Sequence, residues 1–302
     1  MSELTPNIAA LVTELFPKYL DQDLFRIMNG GILETTAVLE LQWDHIIFTG
    51  SPAVGRVVAA AAAKHLTPTT LELGGQCPVF CDPKIDMYMT ARRLLWIKAF
   101  NAGQTCTSVN HIFVPFEAQD ALAAAFVKVY SEFYPEGPDK APISTLVTDA
   151  AFKRVKGLLD KTKGDLVCGG QTDEARRFIA PTVLKNVGVD DAVMERYKKY
   201  IFKNTQSGQF VVNDTSLQAA ILTLPFGGVG ESGNGMVRGK YTFDTLSHLR
   251  ATCESPRFVD TLMSWRFPPY TDEKIKKASV VKPRIPPLNP GWGARLRSWM
   301  PF

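Results

Sequence analysis

The chain has 302 residues, of which 45% are hydrophobic, 21% charged and 10% aromatic; this composition supports two modest domains with cores of their own and excludes a largely disordered protein. Its formal net charge of +4 arises from 34 basic and 30 acidic residues spread along the sequence, so no concentrated field points to nucleic acid as a partner. Five cysteines at irregular spacing, positions 77, 81, 106, 168 and 253, fit neither a disulfide framework nor a zinc pattern, and a reducing, cytoplasmic compartment is expected.

The opening MSELTPNIAALVTELF carries two acids and no basic region, so it does not read as a secretory signal, and no apolar run reaches membrane-spanning length. IAALVTELFPKYL has helical spacing, LFRIMNGG is a short apolar run stopped by glycines, and ILETTAVLEL is helical again. HIIFTG then reads as a buried strand and VGRVVAAAAAKHL as an alanine-rich helix. Alternation of this kind predicts parallel strands with crossover helices, a piece of a doubly wound sheet.

TLELGG and CPVFCD follow as strand candidates, then the long helical stretch IDMYMTARRLLWIKAFNAG, the strand HIFVPF and the helix AQDALAAAFVKVYSEFY, a second α/β unit. After Asp190 the pattern thins, with one short helix and the strand FVVND expected over residues 195–214. LPFGGVGESGNGM, Leu224 to Met236, holds five glycines in thirteen residues and is expected to be irregular. Beyond Pro268 prolines recur without periodicity, which predicts an extended tail. Its end, PPLNPGWGARLRSWMPF, sets Trp292, Leu296, Trp299, Met300 and Phe302 around Arg295 and Arg297. Such a terminus can rest on a membrane surface, although packing back onto the protein is the favoured reading.

Three elements can carry chemistry. FTGSPAVG, Phe48 to Gly55, ends a strand on a glycine and sets a second glycine in the first turn of the next helix. Backbone amides and the helix dipole there can face a phosphate, although a tight turn without a ligand explains the pattern as well. Cys106 lies in NAGQTCTS, a polar, glycine-containing turn that exposes a thiol as a nucleophile requires. Cys77, Cys81 and Cys168 sit in or beside apolar runs and read as inert packing. Glu72 interrupts TTLELGG, where a solvent-facing strand position would also satisfy it. No HExxH, CxxC, GxSxG or Walker lysine competes, and the four histidines are scattered, so no metal site is expected.

Taken in order, FTGSPAVG, AAAAKHLTPTTLELGG, NAGQTC, FIAPTVL, LPFGGVGESGNG and TFDTLSH resemble the aldehyde dehydrogenases, specifically the class 3 or fatty-aldehyde branch, from about Ser2 to about Ser255. The resemblance implies an α/β fold with a partial doubly wound, Rossmann-like cofactor sheet and a second α/β catalytic domain. It implies NAD- or NADP-dependent oxidation of an aldehyde to a carboxylic acid. Cys106 would form the thiohemiacetal and then the thioester, and its backbone amide would donate to the oxyanion. Glu72 would be the general base that activates water, its pKa raised by partial burial. Gly50, Ser51, Val54, Gly55, Leu73 and Gly74 would line the cofactor, and Phe226 would lie in a loop closing over the substrate.

The same comparison implies two losses. The family's first cofactor strands, its oxyanion asparagine, a tunnel wall, an oligomerisation hairpin and a ribose-binding lysine would all precede Ser2. After Asp190–Met194 a segment carrying the glutamate that holds the nicotinamide ribose is absent. Residues 1–74 are then a remnant of the cofactor domain, and 75–235 a catalytic domain with a deletion near 195. Residues 236–268 return to the cofactor domain and 269–302 form the tail. Three readings stay open: an aldehyde dehydrogenase with a homo- or hetero-oligomeric partner, a catalytically degenerate relative that binds or regulates, and an incomplete gene model.

Overall fold

A computed structural model describes residues 1–188, 191, 207–256 and 258–279, which divide into two compact units, Met1–His248 and Leu249–Phe302. In the first unit α1 (Pro6–Tyr19) opens on a proline, whose fixed φ and missing N–H suit a helix start. The apolar run LFRIMNGG forms no strand. Asp21 turns the chain by accepting from the amides of Leu24 and Phe25, and only Gly30 pairs, in a single bridge to Ser2.

α2 (Ile32–Leu39) leads into the expected β-α-β unit of β1 (Ile46–Gly50), α3 (Pro52–Ala63) and β2 (Thr69–Leu73). The strands are parallel, with Ile46 opposite Thr69, Thr49 opposite Glu72 and Gly50 opposite Leu73. α3 is set by local chemistry: the Ser51 side chain accepts from the Val54 amide, Pro52 stands at the first turn, and the run Ala59–Ala63 has high helix propensity. It buries Gly55, Val58 and Ala62.

A second parallel unit follows: β3 (Val79–Phe80), α4 (Met87–Ala99) and β4 (Ile112–Phe113), with Val79 opposite Ile112. Asp86 caps α4 by accepting from the Met89 amide at 3.0 Å. α5 (Phe116–Phe133) packs on α4, and Leu94, Leu95 and Ile97 meet Leu122, Phe126 and Val129 in the main core. α6 (Asp149–Lys161) precedes two antiparallel ladders. One joins β5 (Asp165–Cys168) to β8 (Val183–Lys185), and the other joins β6 (Thr172–Asp173) to β7 (Phe178–Ile179).

The short helix expected within 195–206 lies outside the described residues. The strand expected at FVVND is not formed: Phe210 and Val212 are 88% and 68% exposed, and a short apolar run with no paired edge among the described residues has no ladder to join. The glycine-rich stretch, expected to be irregular, contributes β9 (Gly233–Asn234), which pairs antiparallel with Leu71 and Glu72 of β2. Only glycine fits there, since Gly233 has φ 119 and a Cβ would sit 1.8 Å from the Leu71 carbonyl oxygen. α7 (Lys240–Leu246) ends the unit.

In the second unit, α8 (Phe258–Leu262) and α9 (Asp272–Ser279) are helical. α9 falls where an extended tail was expected. DEKIKKAS contains no proline, places Asp272 and Glu273 in the first turn and Lys276 and Lys277 in the last, and pairs Lys277 with Glu273 at 2.8 Å. Trp292 to Phe302 lie outside the described residues. Among the described residues no helix is long and apolar enough to cross a membrane.

Candidate active site

Strand register and helix packing bring the predicted cofactor residues together at one end of the parallel pair. Gly50 ends β1 opposite Leu73, and Gly55, one turn into α3, lies against Leu73, where a Cβ would come within 2.7 Å of a Leu73 methyl. This close approach brings the start of α3, with Ser51 and Val54, beside the carboxyl ends of β1 and β2. Gly74 follows, and a Cβ added there would meet nothing within 4 Å. Amides at a helix start, next to open space at strand ends, fit a phosphate group.

The Cys106 loop is built by backbone geometry and one glutamine. Asn101, Ala102 and Gly103 take left-handed φ values of 52, 54 and 72° in succession, reversing the chain after α4. The Asn101 amide group donates to the Gln104 carbonyl at 3.2 Å. Gln104 then ties the loop to a distant irregular segment: its Nε2 donates to the carbonyls of Asn101 and Thr145, and its Oε1 accepts from the Val147 amide at 3.0 Å. Cys106 is exposed. Its thiol stays above its ordinary range because of desolvation, with a smaller contribution from the Glu72 carboxylate, while the Cys106 and Thr107 amides and Arg238 favour the thiolate.

Glu72 is not the solvent-facing carboxylate of an edge strand. It sits between β1 and β9, opposite Thr49 on one side and Gly233 on the other. Its Oε1 is buried with no hydrogen-bond partner among the described residues. Desolvation raises its pKa from 4.5 to about 7, and the positive charge of Arg238 opposes the rise. Gly75, three residues on, lies 3.8 Å from the Cys106 carbonyl oxygen by its Cβ position and 3.4 Å from Ser232 Oγ, which itself donates to the Gly74 carbonyl at 3.2 Å. The LELGG, GQTC and glycine-rich segments therefore meet.

Arg238 is the residue that sequence reasoning missed. It sits at φ 94, donates to the carbonyl of Ala219, and lies over the Phe226 ring at 4.4 Å, while its charge acts on both Glu72 and Cys106. Phe226 is fixed by a bridge to Val237, with N–H···O distances of 3.1 and 2.8 Å. A basic residue two positions after the glycine-rich stretch was the one available signal. Cys77 also departs from its packing role: it is half-buried at φ 43, and its thiol donates to the Cys106 carbonyl oxygen at 3.2 Å.

Comparison with known proteins identifies the family. The aldehyde dehydrogenase family model matches residues 1–198. The chain is 38% identical to aldehyde dehydrogenase family 3 member A2 of Rattus norvegicus, over 91% of this chain and 64% of the relative. It is 36% identical to the beta-apo-4'-carotenal oxygenase of Neurospora crassa, over 91% and 59%. Among solved structures, the substrate-bound AldH of Staphylococcus aureus superimposes with TM-score 0.77 at 31% identity, covering 92% of this chain and 69% of that one. The NAD+ complex of an aldehyde dehydrogenase from Mycobacterium tuberculosis gives 0.66 at 26%, covering 81% and 60%. The chain spans 64% and 59% of the two curated relatives' lengths. A parallel pair ending in a helix start, a thiol beside a half-buried carboxylate and a match across 198 residues lead to one assignment: this chain belongs to the aldehyde dehydrogenase family.

Proposed function

We propose that the chain oxidises an aldehyde to a carboxylic acid with NAD or NADP, using Cys106 as nucleophile and Glu72 as general base. The observation that carries this reading is the electrostatic coupling of an exposed thiol to a carboxylate whose pKa of about 7 suits proton transfer near neutrality. The Cys106 thiolate adds to the aldehyde carbon. The Cys106 and Thr107 amides, which favour the thiolate, are the donors available to the oxyanion. Bound at the start of α3, the nicotinamide cofactor supplies the hydride acceptor of the oxidation. Gly50, Ser51, Val54, Gly55, Leu73 and Gly74 are the residues for that site, supported by the helix start and the open space at Gly74. Ionised Glu72 takes a proton from the water that releases the acid from Cys106.

Phe226, held under Arg238, is the residue we assign to the substrate wall. An aromatic or fatty aldehyde is the substrate class that the class 3 resemblance implies. A cytoplasmic location is supported by the free state of all five cysteines. The test is formation of reduced cofactor from a medium-chain aldehyde, followed by absorbance, for the native chain, Cys106→Ser and Glu72→Gln. Turnover in the native chain alone is expected, and indistinguishable traces from all three refute the assignment.

A second reading, a binding or regulatory partner, is favoured by the exposed apolar side chains of Ile32 and Leu33 on α2, at 83% and 81%. Light scattering decides whether the chain associates with copies of itself.

A further inference from the structure

Cys77 has no part in the proposed reaction, yet its position is costly. A β-carbon residue at φ 43 lies in the left-handed region that favours glycine. That backbone conformation directs the Cys77 thiol to the Cys106 carbonyl oxygen, 3.2 Å away. A residue's carbonyl oxygen lies about 3 Å from its own Cβ, so the Cys77 sulfur is within about 6 Å of the Cys106 Cβ. Both residues lie outside regular elements, Cys77 between β2 and β3 and Cys106 in the loop after α4. A disulfide holds its sulfurs about 2 Å apart, so rotation of both side chains and a loop adjustment supply the remaining approach. Cys106 is exposed and Cys77 half-buried, so a solution oxidant reaches Cys106 first.

We propose that a hydroperoxide converts Cys77 and Cys106 into a reversible disulfide, in which Cys77 is the resolving thiol. The Cys106 sulfur attacks the peroxide and the O–O bond breaks, giving a Cys106 sulfenic acid and an alcohol or water. The Cys77 sulfur then attacks the Cys106 sulfur. The S–O bond breaks, and the departing hydroxide leaves as water with the Cys77 proton. Two thiols lose two electrons in all, and the hydroperoxide gains them. Cys77, pushed up to about 11 by desolvation and by Cys106, rests as a thiol, while the nearby Lys98 ammonium favours the thiolate needed at the second step.

The bond depends on the two thiols alone, whereas its effect on turnover rests on the catalytic role proposed for Cys106. The experiment treats the full chain with hydrogen peroxide, then maps peptides under non-reducing conditions by mass spectrometry and titrates thiols. Two of the five thiols should disappear, with a Cys77–Cys106 peptide pair lighter by two hydrogens that dithiothreitol separates. Cys77→Ser, whose hydroxyl can keep the bond to the Cys106 carbonyl, should instead carry Cys106 to a sulfinic acid that dithiothreitol does not reverse. Absence of the Cys77–Cys106 pair in the native chain, with Cys106 over-oxidised at the same rate as in Cys77→Ser, overturns the proposal. A native chain that forms the pair but shows no aldehyde oxidation when reduced refutes the catalytic reading and leaves the disulfide standing.

Discussion

Replacing Glu72 by glutamine tests the energetics of the site without requiring any turnover. The carboxyl is raised from 4.5 to about 7 in the fold, chiefly by desolvation. Between those values the folded chain keeps a proton that the unfolded chain has lost, so stability falls as pH rises through the window, and the full cost is present above about 7. An undiscounted shift of this size corresponds to about 3 kcal/mol. Glu72 is only partly buried, so solvent screening reduces this to roughly 1–2 kcal/mol. Glutamine has no charge to desolvate. The Glu72→Gln chain should therefore match the native chain at mildly acidic pH and exceed its stability by that amount at about pH 8, read from urea unfolding at both pH values. For the proposed aldehyde oxidation, the same titration predicts an acidic limb in the native chain's rate of acid release, with a midpoint near 7. Equal differences in unfolding free energy at the two pH values would refute the assignment of a desolvated carboxylate at this position.

Three further outcomes follow from neighbouring residues. Arg238→Gln removes a charge that favours both the Glu72 carboxylate and the Cys106 thiolate, so iodoacetamide should alkylate Cys106 more slowly near pH 8, by about two- to tenfold; an unchanged rate contradicts the coupling. Gly233→Ala places a methyl against the Leu71 carbonyl at a backbone angle disfavoured for alanine, and should cost about 2 kcal/mol or more in denaturant unfolding. Gln104→Ala removes three hydrogen bonds holding the Cys106 loop to residues 101, 145 and 147. Hydrogen exchange at the Val147 amide should quicken, with a stability loss on the order of 1–3 kcal/mol.

What could be read from the sequence is what short-range physics controls. The β1-α3-β2 unit is written in a buried apolar strand, a serine cap, a proline at the first turn and an alanine run, all within thirty residues of chain. Glu72 and Cys106 became readable only together with the surrounding motifs, because each alone has an ordinary structural explanation. The residues that escaped detection owe their places to distant partners. β9 is two residues long and contains a glycine; it is a strand because the edge of β2 supplies the ladder, not through propensity. Arg238 offered no more than its place after the glycine-rich stretch, since its interactions with Phe226, Glu72 and Cys106 are all tertiary. FVVND shows the converse: its β-branched and aromatic residues suit a strand, but among the described residues no edge pairs with it and it stays open.

The pairing of Leu71 and Glu72 with Asn234 and Gly233 also orders events in time. α4 and α5, which pack on each other within residues 87–133, can begin to collapse as soon as that stretch has left the ribosome, because closing short loops costs little entropy. The edge beside Glu72 stays unpaired until more than 160 residues beyond it have been made, and until then it is a bare strand margin open to other chains. Maturation of the carboxylate's environment, and with it any chemistry at Cys106, is therefore a late step in the life of the nascent protein, and damage to the glycine-rich segment would be felt first as aggregation during synthesis.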